Sequence, residues 1–290
     1  MAKEQTLRYP VVSGLFYPDG EEQLRSNVEG YLGKIDRSAL IDDVRKQTGI
    51  DPSARPPLAV IAPHAGYIYS GRVQAFSYAL LGGFQIDTAI VMGPAHQTPF
   101  RGISVNLDNA YQTPLGPVEV DLEAAQKLLE HDGALQRHED AHLSEHSVEV
   151  QLPFLQTVLP HTKIVPVLFG EQSWNTAEKL VDALSWVVEK LPGRYVCIAS
   201  SDLSHYHSHV DASAMDHVLI DDVKNLDPRS FHEHVQSGKS EACGFGPILA
   251  AMMLSARTGE GRAAVLKYSD SGEVSGNRRN VVGYLSALLY

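Results

Sequence analysis

Leu58-Ala59-Val60-Ile61-Ala62-Pro63 runs straight into His64-Ala65-Gly66-Tyr67, and Thr88-Ala89-Ile90-Val91-Met92-Gly93-Pro94-Ala95 runs straight into His96. Each apolar run is short, contains β-branched residues and stops at proline or glycine, so each reads as a buried strand of a parallel sheet. A histidine follows the carboxyl end of both. In open α/β sheets ligands bind in crevices outside the carboxyl ends of the strands. Two imidazoles delivered to neighbouring strand ends can therefore converge on one metal ion.

The alternation continues along the chain. Gly102–Leu107, Lys163–Phe169, Tyr195–Ser200, Ala264–Tyr268 and Val281–Leu285 also read as strands, with Gly116–Val120 as a short edge strand. Helical periodicity occupies Glu21–Leu32, Gly71–Leu80, Leu122–His131, Val148–Leu159, Thr176–Lys190, Ala212–Asn225, Arg229–Gln236 and Pro247–Arg257. Asp121 is placed to cap the helix at Leu122, Asp227-Pro228 opens the one at Arg229, and Pro153 falls near a helix start, where its missing N–H costs little. Strands alternating with helices predict an α/β fold: a single domain, 1–290, with a mostly parallel central sheet flanked by helices.

The 290 residues are 43% hydrophobic and 20% charged, enough for a large core. Lys+Arg 24 against Asp+Glu 35 leaves a net charge of −11, which argues against nucleic acid and for a small-molecule or protein partner. The opening Met1-Ala2-Lys3-Glu4-Gln5 lacks a signal-peptide core, no apolar stretch reaches membrane-spanning length, and two cysteines cannot build a disulfide framework. A cytoplasmic protein, away from the membrane, is the expectation.

Three further segments can carry chemistry. Cys243 lies in Glu241-Ala242-Cys243-Gly244-Phe245-Gly246-Pro247, a glycine-rich turn opening a helix, where backbone N–H groups favour a thiolate. Cys197, inside an apolar strand, reads as core. Ser201-Asp202-Leu203-Ser204-His205 follows another strand, and Asp202 with His205 can form a carboxylate–imidazole pair; His207 and His209 read as solvated neighbours. His142-Leu143-Ser144-Glu145-His146 matches a zinc-peptidase pattern, but that use needs both histidines on one face of a helix, and Glu139–His142 reads as loop.

Taken in order, Pro63-His64-Ala65-Gly66-Tyr67-Ile68-Tyr69-Ser70-Gly71, Gly93-Pro94-Ala95-His96, Glu145-His146-Ser147-Val148-Glu149, Ser201-Asp202-Leu203-Ser204-His205 and Cys243-Gly244-Phe245-Gly246 resemble the Memo family, called AmmeMemoRadiSam system protein B in prokaryotes. The resemblance runs from Val11-Ser13-Gly14-Phe16-Tyr17 to the final strand. It implies a fold like that of class III extradiol dioxygenases. It also implies a metal site with His64, His96 and Cys243 at the ligand positions, and Asp202, His205 and His146 as further site residues. Those dioxygenases bind Fe(II) through two histidines and a carboxylate; a thiolate in the third place makes Cu(I) or Zn²⁺ credible beside iron. The family name further implies a functional link to a radical-SAM protein and an AMMECR-type protein.

Three function classes accommodate these residues. The first is a mononuclear Fe(II) or Cu redox enzyme, oxygenase-like, in which His205 oriented by Asp202 moves protons. The second is a non-catalytic module binding a small molecule or peptide in the same cleft. The third is a zinc hydrolase with a metal-bound water as nucleophile.

Overall fold

The structure, a computed structural model, describes residues 6–131, 133 and 135–290; the expectation for Met1–Gln5 lies outside the described residues. From Leu7–Arg8 (β1) the chain passes through α1 (Glu21–Leu32) and α2 (Arg37–Thr48) into β2 (Ala59–Ala62), α3 (Tyr67–Ala79) and β3 (Thr88–Pro94). There follow β4 (Ile103–Val105), a hairpin of β5 (Ala110–Thr113) and β6 (Gly116–Glu119), α4 (Leu122–His131), β7 (Leu135–Gln136) and α5 (Glu139–Leu143). One turn of 3-10 helix (Glu149–Gln151) leads into α6 (Leu152–Val158), β8 (Lys163–Phe169), α7 (Trp174–Lys190), β9 (Tyr195–Ser200) and β10 (His205–His207). The chain closes through α8 (His209–Lys224), α9 (Pro228–Gln236), α10 (Phe245–Thr258), β11 (Ala263–Asp270), α11 (Gly272–Ser275) and β12 (Val281–Leu289).

β2, β9, β3 and β8 lie side by side in that order and are mutually parallel. Antiparallel strands border this centre: β12 pairs with β2 and carries β11 and β10, while β4 pairs with β8 and carries β7 in parallel. The sheet is thus parallel at its centre and mixed at its margins, and a second small sheet joins β1, β5 and β6. The central strands are buried, as expected for strands covered by helices. α3 packs on β2, β11 and β12, and α10 on β2, β3, β9 and β12.

The order of the central strands makes the site. β3 and β8 extend the sheet away from β2, and then β9 returns to insert between β2 and β3. The carboxyl ends of β2, β9 and β3 therefore open side by side into one crevice. His64, Asp202 and His96 follow those three ends.

The expected capping is present: Asp121 accepts the Ala124 N–H at 3.1 Å, and Asp227 accepts that of Ser230 at 3.0 Å with Pro228 in the first turn. Three departures matter. Helix α2 lies where no helix was expected, and α5 occupies the segment read as loop. The helix expected from Val148 opens as 3-10 and becomes α-helical only at Leu152, with Pro153 in its first turn. No helix among the described residues is long and apolar enough to cross a membrane.

Candidate metal centre

The two strand-end histidines meet. The His64 and His96 ring centroids lie 5.2 Å apart, and His146 completes a triangle at 5.5 Å from His64 and 4.7 Å from His96. One ligand nitrogen from each lies within 4.8 Å of the others, so the group can hold a metal ion. His64 is buried, His146 is half-buried and His96 faces solvent, which leaves an approach to the centre from the His96 side.

His64 and His96 are each held through a hydrogen bond at Nδ1. For His64 the partner is the Ser200 hydroxyl, at 2.9 Å, at the end of β9. For His96 it is Glu145 Oε1, also at 2.9 Å, and the same oxygen stands 3.3 Å from His146 Nδ1. Glu145 further accepts the backbone N–H groups of His96, His146 and Ser147. Burial opposes its charge, yet the His96 and His146 contacts outweigh that and pull the carboxyl down to about 2. An ionised carboxylate only accepts, so His96 Nδ1 donates to it and the other ring nitrogen, Nε2, is the atom turned to a ligand. Burial, reinforced by the neighbouring imidazoles, lowers the pKa of His64 well below the usual histidine range; burial also lowers His146. The lowered values of His64 and His146 favour the unprotonated imidazole, which is the form that Fe, Cu or Zn binds.

Two glycines let the supporting loops come close. A Cβ on Gly93 in β3 would stand 2.2 Å from Ser147 Oγ, so the loop bearing Glu145 and His146 can seat only over a glycine. A Cβ on Gly244 would stand 2.4 Å from the Ser200 carbonyl oxygen, so the turn bearing Cys243 depends on glycine in the same way. Gly66, by contrast, has ordinary room for a Cβ and caps α3 at φ −54°.

The remaining sequence-predicted residues are distributed around this group. Cys243 Sγ lies 3.2 Å from His64 Nε2 and receives the Asp202 N–H at 3.3 Å, but it does not belong to the mutually close set formed by the three imidazoles. Burial raises its thiol pKa, the opposite of the thiolate expected from its helix-opening turn. Asp202 is buried and accepts the N–H groups of His64 at 2.8 Å and Ala65 at 3.3 Å, fixing the backbone that presents His64. The expected Asp202–His205 hydrogen bond is not formed: His205 Nδ1 bonds the Leu203 carbonyl at 2.8 Å instead, because the chain turns back between them to make β10. His207 pairs with Glu241 and His209 with Asp270, away from the triad.

His142 stands apart from His146. Its Nδ1 meets the Tyr111 hydroxyl at 2.9 Å and its Nε2 the Ser104 hydroxyl at 3.0 Å, so the peptidase-like spacing brings no second ligand. Arg8 carried no role in the sequence reading, and Glu145 entered it only through the peptidase-like pattern and the Memo-like Glu-His-Ser block. Arg8, buried, donates to the His142 and Glu145 carbonyls and pairs with buried Glu149, which accepts from Val11 N, Val12 N and the Tyr17 hydroxyl. The amino-terminal segment is thereby clamped to the loop that carries His146, and Phe16 sets its ring edge on His146 at 5.0 Å.

The family model described as Memo-like protein matches residues 8–288. A MEMO1 family protein of Methanobrevibacter smithii is 37% identical over 97% of this chain and 99% of its own length. One of Methanocaldococcus jannaschii is 35% identical over 98% and 99%. Among solved structures, an uncharacterized protein from Escherichia coli K12 superimposes with a TM-score of 0.51 at 13% identity, covering 79% of this chain and 98% of its own, which establishes a shared fold. With a family match along nearly its whole length and relatives above one-third identity, the chain belongs to the Memo family.

Proposed function

We propose that this protein is a mononuclear metal-dependent redox enzyme, oxygenase-like, that takes Fe(II) or Cu at His64, His96 and His146 and acts on a small molecule. The observation that carries the proposal is the convergence of three imidazoles, with the Nδ1 atoms of His64 and His96 hydrogen-bonded to Ser200 and Glu145 and that of His146 3.3 Å from the same carboxylate. Such outer contacts fix ring orientation and raise ligand basicity. Cys243, in contact with His64 Nε2, is the sulfur donor available to the same ion. When bound, the metal would supply one-electron or oxygen chemistry and Lewis acidity.

The chain's own groups divide the remaining work. Asp202 holds the His64 backbone in place. His205 donates through Nδ1 to Leu203, so its Nε2 is the lone pair that accepts a proton from substrate. The exposed side of His96 gives the substrate its approach.

The test is protein purified without added metal or oxygen and analysed for elements, then exposed to oxygen. About one iron or copper per chain, lost in the His64→Ala and His146→Ala variants, is expected. Stoichiometric metal surviving the triple His64→Ala/His96→Ala/His146→Ala change would refute the site. Stoichiometric zinc with no response to oxygen would move the assignment to a hydrolase.

A further inference from the structure

We infer a second binding site, separate from the metal centre, for a small organic anion with a compact apolar body, such as an aryl- or alkyl-carboxylate. It is a pocket of about 250 Å³ between the end of α1, the outer side of α3 and β11. Its apolar surface comes from Ile35, Val73 and Phe76, and Tyr31 and Tyr69 add aromatic faces. The volume lies just below the roughly 300–1,000 Å³ of pockets for drug-sized ligands, which limits the occupant to a small molecule.

Charge selects the class. Lys34, Arg72 and Lys267 all border the pocket, against one carboxylate, Glu273. That carboxylate is already shared by Arg72, at 3.6 Å, and the Ser269 hydroxyl. Among the described residues neither Lys34 nor Lys267 has a carboxylate partner, so both ammonium groups are open to an anion. Three cations gathered around one apolar hollow, in a chain of net charge −11, form a local positive potential that a neutral ligand would not use. A carboxylate head between the ammonium groups, with its body on Val73 and Phe76, uses both halves of the pocket.

The wall is built rather than incidental. The Tyr31 hydroxyl donates to the Tyr67 carbonyl at 2.8 Å, and its ring lies over Gly71, where a Cβ would approach to 2.7 Å. Gly71 thereby admits the Tyr31 ring, which closes one side of this pocket. Tyr67 and Gly71 belong to the helix that follows His64, so the pocket rests on a rigid element rather than a loop tip.

The test is a titration followed by protein NMR, with three probes: 3-phenylpropionate, its neutral counterpart 3-phenylpropanol, and acetate. Saturable shifts at Val73 and Phe76 are expected with 3-phenylpropionate, and at least tenfold weaker binding with each of the other two. Lys34→Gln/Lys267→Gln should weaken 3-phenylpropionate at least tenfold, and Lys34→Arg/Lys267→Arg should restore most of it. Both lysines are exposed, so these variants should keep the parent melting temperature. Equal binding of the alcohol, indifference to the glutamine pair, or no saturable shift at Val73 and Phe76 would each overturn the inference. None of these readouts depends on a bound metal, so they separate this site from the metal centre.

Discussion

Ser200 takes the Nδ1 proton of His64. Its own hydroxyl proton is committed to the Ser147 carbonyl at 2.6 Å, and Gln151 donates to its oxygen at 2.8 Å. The oxygen can therefore only accept from His64, and His64 must present an unprotonated Nε2 toward Cys243 and the other imidazoles. One buried serine thus ties the tautomer of a candidate ligand to the loop that carries the third histidine.

Ser200→Ala should leave His64 free to rotate and change tautomer. Metal affinity, measured by competition with a chelator, is expected to fall about 10–100-fold, the range typical of lost outer-shell contacts. An unchanged affinity would show that Ser200 does not orient the ligand.

Glu145→Gln should be more damaging than Ser200→Ala. The carboxylate serves His96 and His146 together as well as three backbone N–H groups, whereas an amide presents one oxygen and a donor. Metal affinity should fall at least tenfold below that of Ser200→Ala. If Glu145→Gln is the milder variant in the same chelator competition, the shared-acceptor role is wrong.

How far the sequence disclosed this arrangement depended on where each residue lay. His64 and His96 were legible because they follow strands whose apolar runs announce themselves, and the parallel centre of the sheet follows from the same runs. His146 was placed only by family likeness, since it sits on an irregular loop, and its membership of the triad required the fold. Glu145 was hidden inside a peptidase-like pattern that pointed to the wrong role. Helix α2 escaped because it is charge-rich and buries only Leu40, Val44 and Thr48. Its caps were readable all the same: Asp36 accepts the Ala39 N–H, and Gly49 ends the helix at φ 77°.

Arg8→Met should strand Glu149 as a buried carboxylate and remove the donors to the His142 and Glu145 carbonyls. Breaking one side of a buried pair costs about 3–5 kcal/mol. Urea denaturation should show a loss of that order, together with weaker metal binding because the His146 loop loses its clamp. A loss below about 1 kcal/mol would place Arg8 outside the framework of the site.

Acid should expose the buried state of His142. Burial, with the Arg8 charge behind it, pushes its folded pKa down to about 3, against an ordinary value of 6.5. The folded protein therefore binds fewer protons than the unfolded chain between those values. This stability is complete above about pH 6.5 and is lost as pH falls, at up to about 1.4 kcal/mol per pH unit. In metal-free protein, His142→Gln should flatten the slope of unfolding free energy between pH 6 and pH 4 by up to one proton. An unaltered slope would mean that His142 is protonated in the fold.

Cys243→Ser decides whether the centre is three imidazoles or includes sulfur. Sγ is 3.2 Å from His64 Nε2, near enough to share its proton in the metal-free protein, and burial holds it as a thiol. A metal that recruits the sulfur must displace that proton, because only the thiolate is a ligand. Loading with Cu(II) or Co(II) should then release about one proton from Cys243 and produce an intense sulfur-to-metal absorption band, and Cys243→Ser should abolish both. If the serine variant keeps the parent spectrum and proton release, the ion is held by His64, His96 and His146 alone, and Cys243 is a neighbour of the centre rather than part of it.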